Sequence, residues 1–224
     1  MGRMVQMGSV EGYLGRPAGE GPWPTVIVIQ EWWGLDNQTE SIVDRFSGLP
    51  EPYFAFAPDL YHGEVALLGD HDKATALAQK YGPTAGQDLF NAFDALKAHQ
   101  DCSGKVGSVG FCFGGRMSLV LGANRPVDAV CTFYGGGMQQ IFDQLNRLKA
   151  PVLGLYGDQD KSIPQGTIQE FDQLLDRTGV PHEIVVYPNS GHAFFRDHDP
   201  NAYRPEAARD AWERVQIFFA KYLR

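Results

Sequence analysis

Residues 105–124 read KVGSVGFCFGGRMSLVLGAN, and this stretch decides which fold the sequence predicts. The run KVGSVG is typical of a strand, and residues 114–124 are predicted to form a helix. Only Phe111 to Phe113 separate the two elements, so the chain has to turn sharply at Cys112. A residue at the tip of such a junction is held in a strained backbone conformation, and such strain clusters at functional sites.

Glycines flank Cys112 where this turn leaves the least room. Gly110 and Gly114 lie two residues before and after it, and Gly115 follows. A cysteine that only fills a core does not require glycines at these positions. The pattern G-x-C-x-G is that of a nucleophile elbow with cysteine in place of serine. A helix N-terminus favours a thiolate, and the N–H of Phe113 is a predicted donor to a developing oxyanion.

The rest of the chain alternates predicted strands and helices. The strands are 25–30, 53–60, 105–110, 127–135, 151–157 and 182–188. The helices are 84–99, 114–124, 166–178 and one that begins at Pro205. Residues 61–83 are the least patterned segment, with a short helix predicted around 72–80. Alternation of this kind predicts one α/β domain over residues 1–224, with a mostly parallel sheet flanked by helices.

Composition and charge exclude several classes of function. The chain carries 19 Lys and Arg against 27 Asp and Glu, and its formal net charge of -8 disfavours binding to nucleic acids. Three cysteines without a C-x-x-C indicate a reducing compartment. No secretory leader or membrane-spanning run is evident, so we expect a soluble, cytoplasmic monomer. No pattern of metal ligands and no dinucleotide fingerprint stands out.

A thiol nucleophile needs a base and an orienting acid, and the elbow fold supplies them in the order nucleophile, acid, histidine. Asp158 and Asp160 follow the strand 151–157, at the edge of the sheet where sites gather. We favour Asp160, since Asp158 fits a residue that caps the turn. His192 follows the last strand and is the preferred base, although a lone loop histidine is often only solvated.

Glu31 directly follows the buried strand 25–30, where an unpartnered carboxylate is costly. It has either a catalytic task or a structural ion pair, for which Arg196 is the best partner; Arg196 could also be a solvated loop charge. The N–H of Trp32 is the second candidate oxyanion donor. Trp32 and Trp33 either pack in the core or line a pocket.

Together these motifs resemble the dienelactone hydrolases (carboxymethylenebutenolidases) of the α/β-hydrolase superfamily. The matching stretches are VIVIQEWWGL, APDLYHG, VGFCFGGR, FYGGG, GDQDKSIP and GHAFFR, in the family's order. The resemblance implies a triad of Cys112, His192 and Asp160, no cofactor and no large lid domain. It further implies that Glu31 contacts the thiol and helps to set its protonation when substrate binds. Arg196 would bind a substrate carboxylate, and Tyr134 would line the pocket.

One departure from the family pattern concerns the substrate. Members that act on dienelactone use a second arginine after PDLY, but residues 61–90 contain only Lys73 and Lys80 as cations. Lysine offers a point charge rather than a bidentate fork. The sequence therefore predicts hydrolysis of a lactone or activated ester through an acyl-enzyme, with dienelactone itself less expected. Thioester hydrolysis, acyl transfer, and a non-catalytic redox or ligand-binding role are the alternatives.

Overall fold

The computed structural model describes residues 1–224 and is built around one eight-stranded sheet. The strands are β1 (Arg3–Met7), β2 (Val10–Gly15), β3 (Trp23–Ile29), β4 (Phe54–Pro58), β5 (Cys102–Phe111), β6 (Ala129–Phe133), β7 (Val152–Gly157) and β8 (His182–Tyr187). Their spatial order is β1-β2-β4-β3-β5-β6-β7-β8. Strands β3 to β8 pair in parallel, whereas β1 and β2 form an antiparallel hairpin that joins β4.

Six α-helices cover the two faces of the sheet. They are α1 (Asn37–Ser47), α2 (His71–Lys97), α3 (Phe113–Asn124), α4 (Phe142–Leu145), α5 (Gln165–Thr178) and α6 (Pro205–Leu223). Helices α1 and α6 share one face, where Phe46 packs against Trp212 and Phe219. Helices α2 to α5 pack on one another in sequence on the other face. No helix is both long and apolar enough to cross a membrane.

The core lies between the sheet and these helices, and its centre is formed by the two middle strands, β3 and β5. Val26 to Ile29 of β3 have no exposed surface, as expected for a parallel strand covered on both faces. Removing this apolar surface from water is the main force that holds the helices on the sheet. The mostly parallel α/β architecture predicted from the sequence is confirmed, without a large lid.

The structure corrects the prediction for residues 72–99. A single 27-residue helix, α2, replaces a short helix near 72–80 and a second one from 84. Proline inside a helix removes one hydrogen bond and usually breaks it. Here the helix continues through Pro83, because buried Ala74 and Leu77 before it and Ala85 and Leu89 after it pack as one stripe. The burial of that stripe offsets the missing bond.

The hairpin β1–β2 and helix α1 were not predicted. Strand β2 mixes glycine and glutamate with apolar residues, which hides its alternation. Helix α1 has a clearer local signal, since Asp36 is an N-cap that accepts from the Thr39 N–H at 3.1 Å. The second carboxylate oxygen of this capping residue reaches the functional site.

Candidate active site

Cys112 is the only residue between the end of β5 and the start of α3. Its φ and ψ are 54° and -113°, a conformation that side chains rarely adopt. The Cys112 N–H donates to the Phe133 carbonyl of the neighbouring strand at 3.0 Å, which holds the turn in place. A Cβ on Gly110 would overlap the Gly114 carbonyl, and one on Gly114 would overlap the carbonyls of β3. The glycines are therefore required by backbone contact on both sides of the thiol.

A histidine, an aspartate and a serine converge beside this turn. His192 Nδ1 lies 2.6 Å from Asp160 Oδ2, and the Asp160 side chain is almost completely buried. Ser162 donates to the other carboxylate oxygen, Oδ1, from both its N–H at 2.8 Å and its hydroxyl at 2.6 Å. The Ser162 hydroxyl also lies 3.1 Å from His192 Nδ1. Asp160 is thus fixed from two sides and can orient the imidazole.

The contacts of His192 set its protonation. Burial lowers the pKa of His192, but Asp160 and the adjacent Cys112 side chain outweigh burial and raise the pKa to about 10. Burial likewise opposes the charge on Asp160, yet the hydrogen bonds from His192 and Ser162 leave the pKa of that carboxyl below its usual value. At neutral pH the pair is therefore an imidazolium and a carboxylate.

Asp158, the other candidate acid, points elsewhere. It is exposed, and its Oδ1 accepts from the Ser190 N–H at 3.3 Å, so it ties the loop after β7 to the loop after β8. The structure brings Asp160, and not Asp158, to His192. The remaining histidines lie apart from this pair, and His182 at the start of β8 faces Asp172 at 3.2 Å.

Glu31 and Arg196 form a buried ion pair, and each is only 5% exposed. Arg196 Nη1 donates to Glu31 Oε2 at 3.2 Å, and Nη2 donates to Asp36 Oδ2 at 2.5 Å. The Tyr134 hydroxyl donates to Glu31 Oε1 at 3.3 Å. Both Glu31 oxygens are therefore engaged away from the thiol, and Arg196 is not a solvated loop charge. Arg196 Nε is buried and has no acceptor.

Burial dominates the titration of Glu31, whereas the neighbouring carboxylates outweigh burial at Arg196 and raise the pKa of its guanidinium. Burial raises the pKa of Glu31; the Arg196 charge opposes that rise and Asp36 adds to it. Burial and the nearby Glu31 also raise the pKa of Tyr134 well above its usual value, so the phenol stays a donor. Glu31 is consequently a stronger base than an exposed glutamate.

A cleft of about 760 Å³ opens over Cys112 and joins the two pairs. Its other lining residues include Trp33, and also Trp32 and Phe113, the two residues whose main-chain N–H groups are the expected oxyanion donors. The two indoles pack 5.0 Å apart, and His71 from the start of α2 lies 5.4 Å from the ring of Trp33. Trp33 is at once buried and part of the cleft wall, so both interpretations of the tryptophans hold in part.

Sequence reasoning did not single out Ser162, Asp36, His71 and Arg116, all of which lie in or against the cleft. Ser162 had a local signal, since it stands two residues after Asp160 in a turn. Arg116 had another, because it lies in the first turn of the helix that follows Cys112. No group of three or more His, Cys, Asp or Glu side chains has an arrangement suited to a metal ion.

Comparison with known proteins extends these observations. The dienelactone hydrolase family model matches residues 10–223. A protein of Methylorubrum extorquens, named as a candidate carboxymethylenebutenolidase, is 36% identical over 97% of this chain and 79% of its own length. A protein of Escherichia coli K12 with the same name is 33% identical over 94% of this chain and 82% of its own.

Solved structures agree on the fold. A candidate dienelactone hydrolase from Klebsiella pneumoniae superposes with a TM-score of 0.85 at 30% identity, over 99% of both chains. A dienelactone hydrolase-like promiscuous phosphotriesterase from metagenomic libraries has a TM-score of 0.87 at 23% identity, covering 100% of this chain and 99% of its own. The chain therefore belongs to the dienelactone hydrolase family, carboxylic ester hydrolases of the α/β-hydrolase superfamily.

Proposed function

We propose that the protein hydrolyses a small lactone or activated ester through an acyl-enzyme on Cys112. The observation that carries the proposal is the strained elbow at Cys112, open to a cleft that it shares with the His192–Asp160 pair. A packed core thiol needs neither feature. The names of the relatives, which refer to a butenolide hydrolase, support the same class of substrate.

In the first half-reaction the Cys112 thiolate attacks the carbonyl carbon. The C–S bond forms as the carbonyl π electrons move onto oxygen, where the N–H groups of Phe113 and Trp32 stabilise the negative charge. The tetrahedral intermediate then collapses and the bond from the carbonyl carbon to the leaving oxygen breaks. The His192 imidazolium gives its proton to that oxygen, which leaves a thioester on Cys112 and a neutral imidazole.

In the second half-reaction the neutral His192, still oriented by Asp160, takes a proton from water. The hydroxide equivalent adds to the thioester carbonyl, and the C–S bond breaks as the intermediate collapses. The acid product leaves, and the thiolate–imidazolium pair is restored. The raised pKa of His192 suits the first step, because an imidazolium has to persist at neutral pH.

In this proposal the buried Glu31–Arg196 pair rearranges when substrate binds. Arg196 binds a substrate carboxylate in this proposal, and its unpartnered Nε is the donor still free for that purpose. When Arg196 shifts toward substrate, Glu31 loses its main counter-charge. The Glu31 carboxylate, whose pKa burial already raises, then contacts the thiol and helps to set its protonation. Tyr134 and Trp33 complete the wall of the pocket.

The test compares wild type with Cys112→Ala on a small dienelactone that carries a carboxylate, followed by the loss of its conjugated absorbance. Cys131→Ala is the matched control, since that thiol is fully buried inside β6. We expect turnover in wild type and in the control, and a loss on the order of 10⁴-fold or more in Cys112→Ala. Full turnover by Cys112→Ala would refute the mechanism.

If wild type leaves the dienelactone intact, a neutral aryl acetate replaces it. A burst of phenol equal to the enzyme concentration, followed by slower turnover, is the expected signature of an acyl-enzyme. Mass spectrometry of the burst phase should find one acetyl group on Cys112. Absence of both burst and acylation would favour a binding protein instead.

A further inference from the structure

Arg116 lies in the same cleft as Cys112 and follows it by one turn of α3. Cys112 is the N-cap of α3 and its carbonyl accepts from the Arg116 N–H at 3.3 Å, so both residues lie at the start of this helix, and both line the cleft. The residue is partly exposed, as a group that meets a ligand has to be. It is one of the cleft residues to which the proposed reaction gives no role.

The Arg116 guanidinium is held in place without a counter-charge. Its Nη1 donates to Gln140 Oε1 at 3.0 Å, and its centre lies 5.8 Å from the Phe113 ring. Gly137 makes room for it, since a Cβ there would lie 2.8 Å from Nη1. No carboxylate lies within 4.0 Å of any of its nitrogens.

Two other cations of the cleft are paired with carboxylates, and one lining carboxylate, Asp199, has no cation partner. Arg196 is shared by Glu31 and Asp36, and His192 is paired with Asp160. Lys161 also lines the cleft, but its side chain is exposed to water, and a mobile ammonium offers little orientation. In a chain of net charge -8, a positioned arginine with its full charge available is a local exception.

We infer that Arg116 is a specificity-determining residue that binds an anionic group of the substrate, about one helical turn from the reacting carbonyl. This inference rests on the proposed function and deepens it. The planar guanidinium still has donors free after Nη1 binds Gln140, and a carboxylate can accept two of them. Arg116 would then share the anionic group of the substrate with Arg196, whose Nε is the one donor nitrogen that Glu31 and Asp36 leave free.

The experiment uses two esters that differ only in charge. One is 4-acetoxybenzoate, and the other is its neutral carboxamide, 4-acetoxybenzamide, which has nearly the same shape; the readout is the ratio of their kcat/KM values. We expect this ratio to fall roughly 10- to 100-fold in Arg116→Gln, the range for a charge-assisted hydrogen bond. Arg116→Lys should fall between the two, because it keeps the charge but not the fork.

Arg147→Gln is the matched control. Arg147 also lacks a carboxylate partner and also donates to an amide oxygen, that of Asn124 at 3.1 Å, but it does not line the cleft. Its ratio should stay within about twofold of wild type. Thermal unfolding of each variant separates a folding defect from a change in specificity.

Two outcomes would overturn the inference. One is a ratio in Arg116→Gln that stays within twofold of wild type, and the other is a loss carried by Lys161→Gln instead. Failure of the proposed reaction has a different signature, since hydrolysis of both esters would then survive Cys112→Ala. Inhibition by the product 4-hydroxybenzoate should weaken in Arg116→Gln by a similar factor.

Discussion

Two acid–cation pairs flank Cys112, and they differ in almost every physical respect. The His192 side chain is 33% exposed beside an Asp160 side chain that is 1% exposed, whereas Arg196 and Glu31 are 5% and 6% exposed. The first cation is an imidazolium that can give its proton to a substrate oxygen, whereas the second is a guanidinium that keeps its protons. The first pair therefore adjusts the position and energy of one proton. The second holds two opposite charges in place until something displaces one of them.

The contrast teaches that pairing alone does not define a role. In the first pair the acid helps to raise the pKa of its histidine to about 10, and this shift is the property expected to matter for catalysis. In the second pair the guanidinium limits the rise in the pKa of Glu31. The property expected to matter there is the further rise in that pKa when the guanidinium moves away. One pair is expected to govern chemistry, and the other to govern stability and the response to substrate.

Asp160→Asn should have the largest effect, on the His192–Asp160 pair. Without the carboxylate, the pKa of His192 should fall from about 10 toward its ordinary value near 6.5, so the imidazolium is lost above that pH. We expect kcat/KM to drop on the order of 10³-fold or more, as in other triads that lose the orienting acid. NMR titration of the His192 ring protons measures the shift directly.

Asp158→Asn is the control for that variant, since its exposed carboxylate only ties two loops together. It should keep the His192 titration near pH 10 and most of the activity. An Asp160→Asn variant with unchanged titration and less than a tenfold loss would show that the two pairs do not differ as described.

Arg196→Met should have the next largest effect, on the stability of the buried pair. It leaves Glu31 and Asp36 without their shared counter-charge, and breaking a buried pair in this way costs about 3 kcal/mol. Arg214→Met is the matched control, because Arg214 also serves two carboxylates, Glu183 and Asp210, but at the surface. Urea unfolding should find a loss of less than about 1 kcal/mol there. Equal losses in both variants would contradict the comparison.

Ser162→Ala should have the smallest effect and sharpens the account of the first pair. The variant removes the hydroxyl that donates to Asp160 at 2.6 Å but keeps the N–H that donates to the same oxygen. We expect kcat/KM to fall about tenfold, the value of one hydrogen bond to a charged group. Ser162→Thr, which keeps the hydroxyl, should recover most of the loss. A defect in Ser162→Thr as large as in Ser162→Ala would point to packing instead.

The parts that sequence could predict are those with local causes. The elbow follows from the glycines around Cys112, since backbone contact dictates them wherever the rest of the chain goes. The juxtaposition of Asp160 and His192 follows from strand order, because carboxyl ends of parallel strands meet at one edge of the sheet. The pairing of Glu31 with Arg196 was one of two alternatives, and only the burial of both groups decides between them.

The parts that sequence could not predict depend on contacts between distant segments. Asp36 caps α1 through one oxygen and binds Arg196, 160 residues away, through the other. Arg116 appears as an ordinary helix cation until Gln140, rather than an acid, is seen to accept its hydrogen bond. The continuation of α2 through Pro83 reflects burial on both sides of the proline, which local propensity does not contain.

The backbone of Cys112 has a consequence for how such a protein can change over time. At a φ of 54° any side chain is disfavoured, and glycine is the residue that would accept the conformation most readily. Selection for stability alone would therefore favour glycine over cysteine at the position that the proposed chemistry needs most. A descendant that abandoned catalysis should drift toward glycine at 112 and grow more robust to heat.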